Sequence, residues 1–491
     1  MQINKLKERR CRQPELMSNK PTSKSSKPKK TVSPIKTGSF ERRLSLTKAG
    51  LMVGTKMAGH MTSSLFSSKE KRAESRKRVL SEQTVFLVGE LSKLKGSVVK
   101  IGQVMALYGE HFLPPEVTEA LHTLEEHTLA LEWPIIHETL LEELGEEKLH
   151  SLDIEQKPIG TASLGQVHKA IIKATGETIC LKVQYPGVAQ AIDSDLNGVA
   201  HLLKLARIVS FGPAFDDWLE EVRTMMHREV NYILEAETTA HFSDMLKEDS
   251  RFIVPKVFFN YSTNTVLATS FEAGENVSSA KVSQLSQSRK NNLAKAALSL
   301  FLEELFVWHE IQTDPNFGNY RIRISESDEP DKIVLLDFGA VQKYSSKFIN
   351  PVCQMICSSF NEDIEGVIQG GIELRFMKKD WPQSVLNEFA RVCIAVLEPL
   401  AKNKPLAGPE AFNASGEYCW KKSNLPTRIA RRAAMSAVSR YFKVPPKEFV
   451  FLNRKLVGVY TFISVLDGQF NGDSILAPYV DAFLKHSQSS Y

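Results

Sequence analysis

Residues 314–319 read Asp-Pro-Asn-Phe-Gly-Asn and residues 335–339, after one predicted hairpin, read Leu-Leu-Asp-Phe-Gly. Phosphoryl transfer from ATP requires Mg²⁺ held by hard oxygen ligands and a carboxylate oriented near the γ-phosphate. Asp314, Asn319 and Asp337 supply these groups at a spacing typical of kinases. The Asp-Phe-Gly triplet alone is a weak signal, because a buried strand that ends in a glycine turn explains it more often. The two stretches together predict a kinase-type site for ATP and Mg²⁺.

Upstream, Lys182 lies between Leu181 and Val183 in a predicted apolar strand. A cation there is costly unless it meets an anion, and a phosphate would serve. The alternative is a lysine that extends past the strand edge into water. The helix predicted further on favours the first interpretation, because it offers Glu229, and a Lys–Glu pair orients the lysine on the α- and β-phosphates in kinases. Glu235, six residues on, is the alternative partner.

The loop before the first predicted hairpin is built of small residues. Small side chains let backbone N–H groups approach phosphate, so this loop is a candidate for binding the nucleotide. It lacks the Gly-x-Gly-x-x-Gly pattern of an ordinary glycine-rich loop. The candidate residues are Gly160, Thr161, Ala162 and Ser163.

The chain divides into four segments. Residues 1–40 are polar, lysine-rich and interrupted by prolines, a composition that cannot bury enough surface to fold. The pattern then becomes helical, and an apolar seam from Leu87 to Met105 repeats at spacings of three and four residues, as in a long amphipathic helix. Strands come next and helices last, which indicates a small strand-rich lobe joined to a larger helical lobe. The predicted boundaries are 1–40 for a disordered basic arm, 41–150 for a helical extension, 151–275 for the strand-rich lobe and 276–491 for the helical lobe.

The individual elements are predicted from periodicity and turn residues. Helices are expected over 116–128 and 134–144, with Gly145 ending the second, and one long helix is expected from Asp216 toward Met245. The strands form two hairpins and one further pair around a charged turn. They are Leu164–Lys173 with Thr178–Gln184, Lys256–Asn260 with Thr265–Phe271, and Tyr320–Ile324 with Lys332–Leu336.

Composition excludes several classes of protein. The 491 residues are 42% hydrophobic and 24% charged, which argues against whole-chain disorder and collagen-like repeats. Residues 1–50 hold 14 Lys and Arg against three Glu, so they carry +11 and leave −6 for the rest of a chain whose net charge is +5. Such a tail is attracted to anionic phospholipid when it is not merely solvated. It lacks the interleaved aromatic residues that stack on nucleic-acid bases.

Cysteine usage and targeting patterns bear on location. The six cysteines form no Cys-x-x-Cys pair and are predicted to be reduced thiols. The sequence shows no secretory signal pattern and no apolar run long enough to span a membrane. The expected location is the cytoplasm, with peripheral attachment to the inner membrane through the basic arm. Because the tail is Ser-rich and acid-poor, a transit peptide and the mitochondrial matrix are the alternative.

Four separated motifs carry a family resemblance. They are Lys100-Ile101-Gly102-Gln103, Ala162–His168 (Ala-Ser-Leu-Gly-Gln-Val-His), Lys182–Val188 (Lys-Val-Gln-Tyr-Pro-Gly-Val) and Gln312–Asn316 (Gln-Thr-Asp-Pro-Asn). Together and in this order they resemble the UbiB family, atypical kinase-like proteins that support ubiquinone (coenzyme Q) biosynthesis. The resemblance extends from residue 45 to residue 475. It is nearest to the branch of mitochondria and their bacterial relatives, because of the Gln-Thr-Asp-Pro form and the lack of a C-terminal membrane hairpin.

The resemblance implies an α+β, protein-kinase-like fold with a small antiparallel-sheet N-lobe and a helical C-lobe. The N-terminal helical extension would cover the place where a protein kinase binds its peptide, and Lys182 would contact phosphate while Glu229 pairs with it. The implied roles are catalytic for Asp314, Lys182, Lys100 and Gln103, cofactor-binding for Gly160, Thr161, Ala162, Ser163, Lys182 and Glu229, and metal-binding for Asn319 and Asp337.

Two stretches depart from the family pattern. Residues 160–163 (Gly-Thr-Ala-Ser) stand where the family has Ala-Ala-Ala-Ser, which leaves the nucleotide preference and the restraint on turnover open. Residues 229–231 (Glu-Val-Asn) stand where the family has Glu-x-Asp, which leaves the role of the third residue open.

Three functions compete on the sequence alone. The first is a UbiB-type enzyme that hydrolyses ATP or phosphorylates a small molecule, such as a lipid or quinone precursor, at a membrane surface. The second is a true protein kinase, against which the chain has no long activation segment and no Ala-Pro-Glu after Gly339. The third is a nucleotide-binding scaffold for quinone-biosynthesis enzymes, although retention of every Mg²⁺ ligand favours chemistry. The expected cofactors are ATP and Mg²⁺, an anionic membrane surface is an expected partner, and no nucleic acid is expected.

Overall fold

This computed structural model describes residues 97–108, 113, 117–118, 130–205, 212–327, 329–404, 407–429 and 447–489. The predicted basic arm, the seam residues from Leu87 to Leu94 and nearly all of the predicted helix at 116–128 lie outside this set. Within the described ranges, no helix combines the length and the apolar character needed to cross a membrane. The five cysteines of these ranges are free thiols, as predicted.

The first half of the described chain mixes helices and strands. Its elements are α1 (Ser97–Tyr108), α2 (Trp133–His150), β1 (Leu152–Ile154), β2 (Gly160–Thr161), β3 (Gly165–Ile172), β4 (Thr178–Gln184), α3 (Val188–Leu205), α4 (Pro213–Glu229), α5 (Tyr232–Leu246), β5 (Phe252–Ile253) and β6 (Val266–Ser270). Helix α2 runs six residues past the predicted end, although Gly145 does interrupt it with a left-handed φ of 77°.

The second half is mostly helical. Its elements are α6 (Ala280–Ser283), α7 (Gln287–Glu303), β7 (Glu310–Gln312), β8 (Tyr320–Arg323), β9 (Lys332–Leu335), β10 (Val341–Lys343), α8 (Ser346–Phe360), α9 (Ile364–Glu373), α10 (Gln383–Val396), α11 (Lys447–Val465) and α12 (Asp473–Ser489). A π-helical turn, Glu304–Trp308, continues α7, and a 3₁₀ turn, Phe317–Asn319, precedes β8.

A five-stranded antiparallel sheet forms the smaller lobe, in the order β1-β3-β4-β6 with β2 paired to β3. The predicted hairpin of β3 and β4 is confirmed. The second predicted hairpin is wrong in its first strand: β6 forms, but Val257 makes only an isolated bridge to Thr269 and the chain then turns as a 3₁₀ helix, Phe259–Tyr261. The register places Lys182 at the centre of the sheet, between Val167 of β3 and Leu267 of β6.

Two small sheets carry the loops of the predicted site. Strands β7 and β10 pair antiparallel, so the loop after β7 and the loop before β10 start from one ribbon. Strand β9 lies between β5, which is parallel to it, and β8, which is antiparallel. The predicted strand pair around the charged turn is therefore confirmed as β8 and β9.

The single long helix predicted from Asp216 toward Met245 is wrong, because the chain forms two helices. Helix α4 ends at Glu229, and α5 begins at Tyr232. The side chain of Asn231 accepts a hydrogen bond of 3.1 Å from the backbone N–H of Leu234 and so caps α5. Asparagine is favoured at this position because its side chain satisfies an N–H group that the first turn leaves unpaired.

The hydrophobic residues form two large cores. The smaller one joins α1, α2, α3 and α4 to the five-stranded sheet, and the larger one joins the end of α5 and the helices after it to β5, β8 and β9. Ile101 and Met105 of α1 are fully buried, and this helix packs against α3 and α4. The described end of the predicted amphipathic helix is therefore docked, and the α+β, two-lobed kinase-like fold is confirmed.

Candidate active site

Lys182 is held by two carboxylates at the junction of the lobes. Its Nζ donates to both carboxylate oxygens of Glu235, at 2.7 and 2.8 Å, and lies 3.6 Å from Oδ2 of Asp337. The ring of Tyr232 lies beside the ammonium group, 4.9 Å from Nζ to its centroid. A lysine in mid-sheet thus points toward acidic partners, as the sequence predicts.

The predicted pairing of Lys182 with Glu229 is wrong, and the alternative partner, Glu235, takes its place. Glu229 is the last residue of α4 and forms an ion pair with Lys100 of α1 instead. Glu235 lies in the first turn of α5 and is buried. The physical reason is the helix break at Val230 and Asn231. Because of it Glu229 ends α4 while Glu235 lies in the first turn of α5, so the two carboxylates belong to different helices.

The charged groups of this cluster shift one another's pKa values. Burial alone would lower the pKa of Lys182, but the charges of Glu235 and Asp337 outweigh it and raise that pKa well above its usual value. Burial raises the pKa of Glu235 to about 7, against the attraction of Lys182. For Asp337 the burial is outweighed by Lys182, by the N–H of Gly339 and by Lys100, and its pKa is lowered. Asp337 is therefore a carboxylate that keeps its charge, which a metal ligand requires.

A hydrogen bond to Asp337 and the packing of Phe338 hold the Asp-Phe-Gly triplet in place. Oδ1 of Asp337 accepts a hydrogen bond of 2.9 Å from the N–H of Gly339. Phe338 is buried and packs on Phe242 of α5, with 4.8 Å between ring centroids. A side chain at position 339 would meet Oδ1 of Asp337 at 3.3 Å and Oε2 of Glu235 at 3.4 Å. Glycine therefore suits this position because two carboxylates approach it closely.

Asp314 and Asn319 are in direct contact, as their spacing suggests. Nδ2 of Asn319 donates to Oδ2 of Asp314 at 3.0 Å. An amide that donates through its nitrogen still presents Oδ1 as a ligand atom. Oδ1 of Asp314 accepts a hydrogen bond of 2.8 Å from Nη2 of Arg454, a residue of α11. Sequence reasoning missed Arg454, because it lies 140 residues further along the chain and no local motif marks it.

Lys100 interacts electrostatically with Asp314 and Asp337. Burial alone would lower its pKa, but the charges of Glu229, Asp314 and Asp337 raise it. The docked helix α1 thus brings a cation close enough to Asp314 and Asp337 to interact with their charges. Gln103, three residues on, is partly exposed, and its reach to Asp337 or Asn319 stays a prediction.

The small-residue loop has part of its backbone already hydrogen-bonded within the protein. Gly160 and Thr161 form β2 and pair with Val167 and Gln166 of β3. The N–H of Ala162 donates to the carbonyl of Gly165 at 2.8 Å. The predicted phosphate contacts of Gly160, Thr161, Ala162 and Ser163 stay predictions, and that of the Ala162 N–H requires this bond to open.

A buried network that sequence reasoning missed supports the loop of Asp314. Nε2 of Gln312 donates to the carbonyls of Asp314, at 2.9 Å, and of Asp337, at 3.4 Å. The N–H of Gln312 in turn donates to Oε1 of Glu304 at 3.3 Å, and Glu304 is paired with Lys455 of α11 at 2.8 Å. Gln312 thereby ties the loop of Asp314 to the Asp-Phe-Gly loop.

Comparison with known proteins agrees with this geometry. The sequence model described as "ABC1 atypical kinase-like domain" matches residues 123–370, half of the chain. The chain belongs to the ABC1 atypical kinase-like family. Members of this family carry a kinase-like domain, so the chain is an ATP-binding protein of the phosphotransferase class, and the cluster around Lys182, Asp314 and Asp337 is its candidate site.

Relatives cover most of this chain. "Probable serine/threonine-protein kinase abkA" of Dictyostelium discoideum is 28% identical over 90% of this chain and 79% of its own length. "Atypical kinase COQ8, mitochondrial" of Schizosaccharomyces pombe is 29% identical over 79% of this chain and 61% of its own length. The chain thus spans less than two thirds of that mitochondrial relative. The structure titled "The complex structure of Rv3197-erythromycin from Mycobacterium tuberculosis" matches 85% of this chain and all but 1% of its own, with a TM-score of 0.55 and 20% identity, and it shows the shared fold.

Proposed function

We propose that this ABC1-family chain is a Mg²⁺-ATP-dependent atypical kinase or ATPase that supports ubiquinone biosynthesis at a membrane surface and does not phosphorylate proteins. The observation that carries the proposal is the assembled cluster: Lys182 paired with Glu235 beside Asp337, and Asp314 bonded to Asn319. The mitochondrial names of several relatives support the mitochondrial matrix as its location.

The residues present fit a Mg²⁺-nucleotide. Asp337 and Asn319 are the hard oxygen ligands that would hold Mg²⁺, which neutralises charge on the phosphates when bound. Lys182 is charged and oriented by Glu235, so it can contact the α- and β-phosphates. Asp314 carries a carboxylate oriented from both sides, and it can accept a proton from an attacking hydroxyl group or water.

A protein substrate is disfavoured by the chain after the Asp-Phe-Gly triplet. Strand β10 begins at Val341, and α8 begins at Ser346. This connection is fully described, and it has no room for the long activation segment on which protein kinases bind a peptide. Helix α1 also brings Lys100 within electrostatic range of Asp314 and Asp337.

The test combines catalysis with quinone content. The purified protein should convert Mg²⁺-ATP to ADP and transfer no label from [γ-³²P]ATP to added casein or histone. In a Saccharomyces cerevisiae strain that lacks its own relative, the chain directed to mitochondria should restore ubiquinone, and Asp314→Asn should not. Labelled casein or histone, or full rescue by Asp314→Asn, would contradict the proposal.

A further inference from the structure

One face of β8 carries two arginines that have no role in the candidate active site as described above. Tyr320 and Ile322 of this strand pack in the larger core. Because side chains alternate along a strand, Arg321 and Arg323 lie on the opposite face. The strand begins directly after Asn319, the candidate metal ligand. Two cations therefore follow the metal ligand along one face of β8.

This face of β8 contacts the segment by which the chain leaves the smaller lobe after β6. Glu275 of that segment pairs with Ile322 through two backbone hydrogen bonds of 2.8 Å. Arg323 donates to the carboxylate of Glu272 at 2.7 Å and to the carbonyl of Ala273 at 3.0 and 3.1 Å. The arginine face of β8 is thus held against the segment that links the two lobes.

The same segment lies next to the face of the sheet that carries Lys182. Cys180 and Lys182 share this face of β4, because Leu181 between them is buried in the smaller core. Cys180 lies opposite Thr269 of β6. Burial and the charge of Glu272 raise the pKa of the Cys180 thiol to about 11, so Glu272 is close to this face as well. The lysine face of the sheet and the arginine face of β8 therefore meet at Glu272.

These positions define a path for the nucleoside part of a bound nucleotide. On the proposed function, the phosphates lie at Lys182 and the metal lies at Asn319. Along β4, Cys180 stands between Lys182 and the linking segment. Along β8, Arg321 stands between Asn319 and the same segment. A nucleoside that extends from the phosphates toward this segment is bounded by Cys180 on one side and by Arg321 on the other.

Arg321 presents a flat cationic group on this path. Its Nη1 donates to the carbonyls of Gly318, at 3.1 Å, and Tyr320, at 3.0 Å. These two bonds orient the guanidinium group beside Asn319, and they do not neutralise its charge because both acceptors are uncharged. A Cβ at position 274 would lie 2.7 Å from Cβ of Arg321. Glycine at 274 therefore leaves the space beside Arg321 clear.

We infer that Arg321 is the surface on which the nucleobase of ATP stacks. The inference rests on the proposed function and adds a nucleobase-contacting residue to it. A guanidinium group is planar, so it stacks on an aromatic ring, and its charge is attracted to the face of that ring. Stacking of a base on a side chain contributes affinity for the base itself. Arg321 thus strengthens binding of the nucleoside and not of the phosphates.

Equilibrium dialysis with two ligands separates the base from the phosphates. The full chain with Mg²⁺ is dialysed against ATP and, separately, against inorganic tripolyphosphate, which has three phosphates and no nucleoside. Arg321→Gln should weaken ATP binding about tenfold and leave tripolyphosphate binding unchanged. Arg321→Lys should lose nearly as much affinity for ATP, because it keeps the charge without the plane. Arg391→Gln, at an exposed arginine of α10, is the matched control and should bind both ligands like the parent.

Thermal melts of the apo variants show whether each one is folded at the dialysis temperature. If Arg321→Gln is not, Arg321→Lys gives the same comparison, because lysine can still donate to a backbone carbonyl. Equal losses for ATP and tripolyphosphate in a folded variant would place Arg321 at the phosphates and overturn the inference. Parental ATP affinity in either variant would overturn it too, and both results leave the proposed function standing. A parent chain that binds neither ligand would contradict the proposed function and the inference together.

Discussion

The ammonium group of Lys182 lies between two carboxylates of unequal burial: the side chain of Glu235 is 5% exposed and that of Asp337 is 34% exposed. The buried partner holds the lysine bidentately, while the more open partner is oriented by the N–H of Gly339 and faces the cleft. On the proposed function, this division would leave Asp337 available to Mg²⁺ while Glu235 orients the lysine.

Replacing Glu235 with Gln should weaken Mg²⁺-ATP binding by about tenfold, or ~1.4 kcal/mol, because Lys182 loses its bidentate charged partner and is drawn toward Asp337. Equilibrium dialysis with Mg²⁺-ATP measures this loss. Glu229→Gln is the comparison, since Glu229 pairs with Lys100 and should lower the affinity less. Equal losses in the two variants would mean that Lys182 is not oriented through Glu235 alone.

The sequence was sufficient to select Lys182, Asp314, Asn319 and Asp337 as candidates, because each is marked by its neighbours or by a fixed spacing, and their roles stay predictions. It was not sufficient to choose between Glu229 and Glu235. That choice depends on the cap that Asn231 forms, and asparagine also occurs inside helices. Arg454 was beyond sequence reasoning, since its partner Asp314 is a contact made by tertiary packing.

At the scale of elements, α11 supports the loop of Asp314 through three contacts. It contributes Arg454 to Asp314, Lys455 to the buried Glu304, and the close approach of Gly458 to Pro315. A buried ion pair is costly to form and costly to break from one side. The pairing of Lys455 with Glu304 therefore fixes the position of α11 against the end of α7, from which the loop of Gln312 and Asp314 continues.

Gly458→Ala should slow ATP turnover, because its Cβ would overlap Pro315 and either α11 or the loop of Asp314 must shift. Overpacking of this kind costs about 1–3 kcal/mol of stability, although alanine is the better helix former. The rate of ADP formation and the thermal melt measure the two effects. Gly212→Ala is the control, since a Cβ there meets nothing within 4 Å, and it should leave both values unchanged. Normal turnover in Gly458→Ala would show that the loop tolerates the shift.

Periodicity and turn residues located the elements with strong local signals, such as the β3–β4 hairpin and the β8–β9 pair. They failed where a tertiary contact overrode the local pattern. The segment before β6 has strand-like composition, yet it makes a single bridge and a 3₁₀ turn, and its backbone N–H groups find partners in irregular bonds such as that from Phe258 to Ala268. The π-helical end of α7 likewise has no sequence signal.

At the scale of the molecule, the two cores meet across polar contacts. Lys182 of the smaller lobe approaches Asp337 of the larger, and Nη2 of Arg228 on α4 donates to the carbonyl of Val341 at 2.8 Å. Helix α5 spans the junction: Tyr232 and Ala236 pack with Leu267 of the sheet, and Phe242 belongs to the larger core. A nucleotide with its phosphates on Lys182 and its metal on Asp337 would therefore bind both lobes at once.

Such a ligand should stabilise the whole molecule by mass action, by about 2.7 kcal/mol at a concentration one hundred times its Kd. The Mg²⁺-dependent part of this stabilisation should vanish in Asp337→Asn, because an amide is a weaker ligand for a hard cation than a carboxylate. The apo melt of this variant should stay near that of the parent, since asparagine can still accept from the N–H of Gly339. Thermal melts with ATP, with and without Mg²⁺, and after chelation with EDTA, measure the difference. Asp380→Asn, an exposed position of the larger lobe, should respond to Mg²⁺-ATP like the parent; an equal response of Asp337→Asn would place the metal on other ligands.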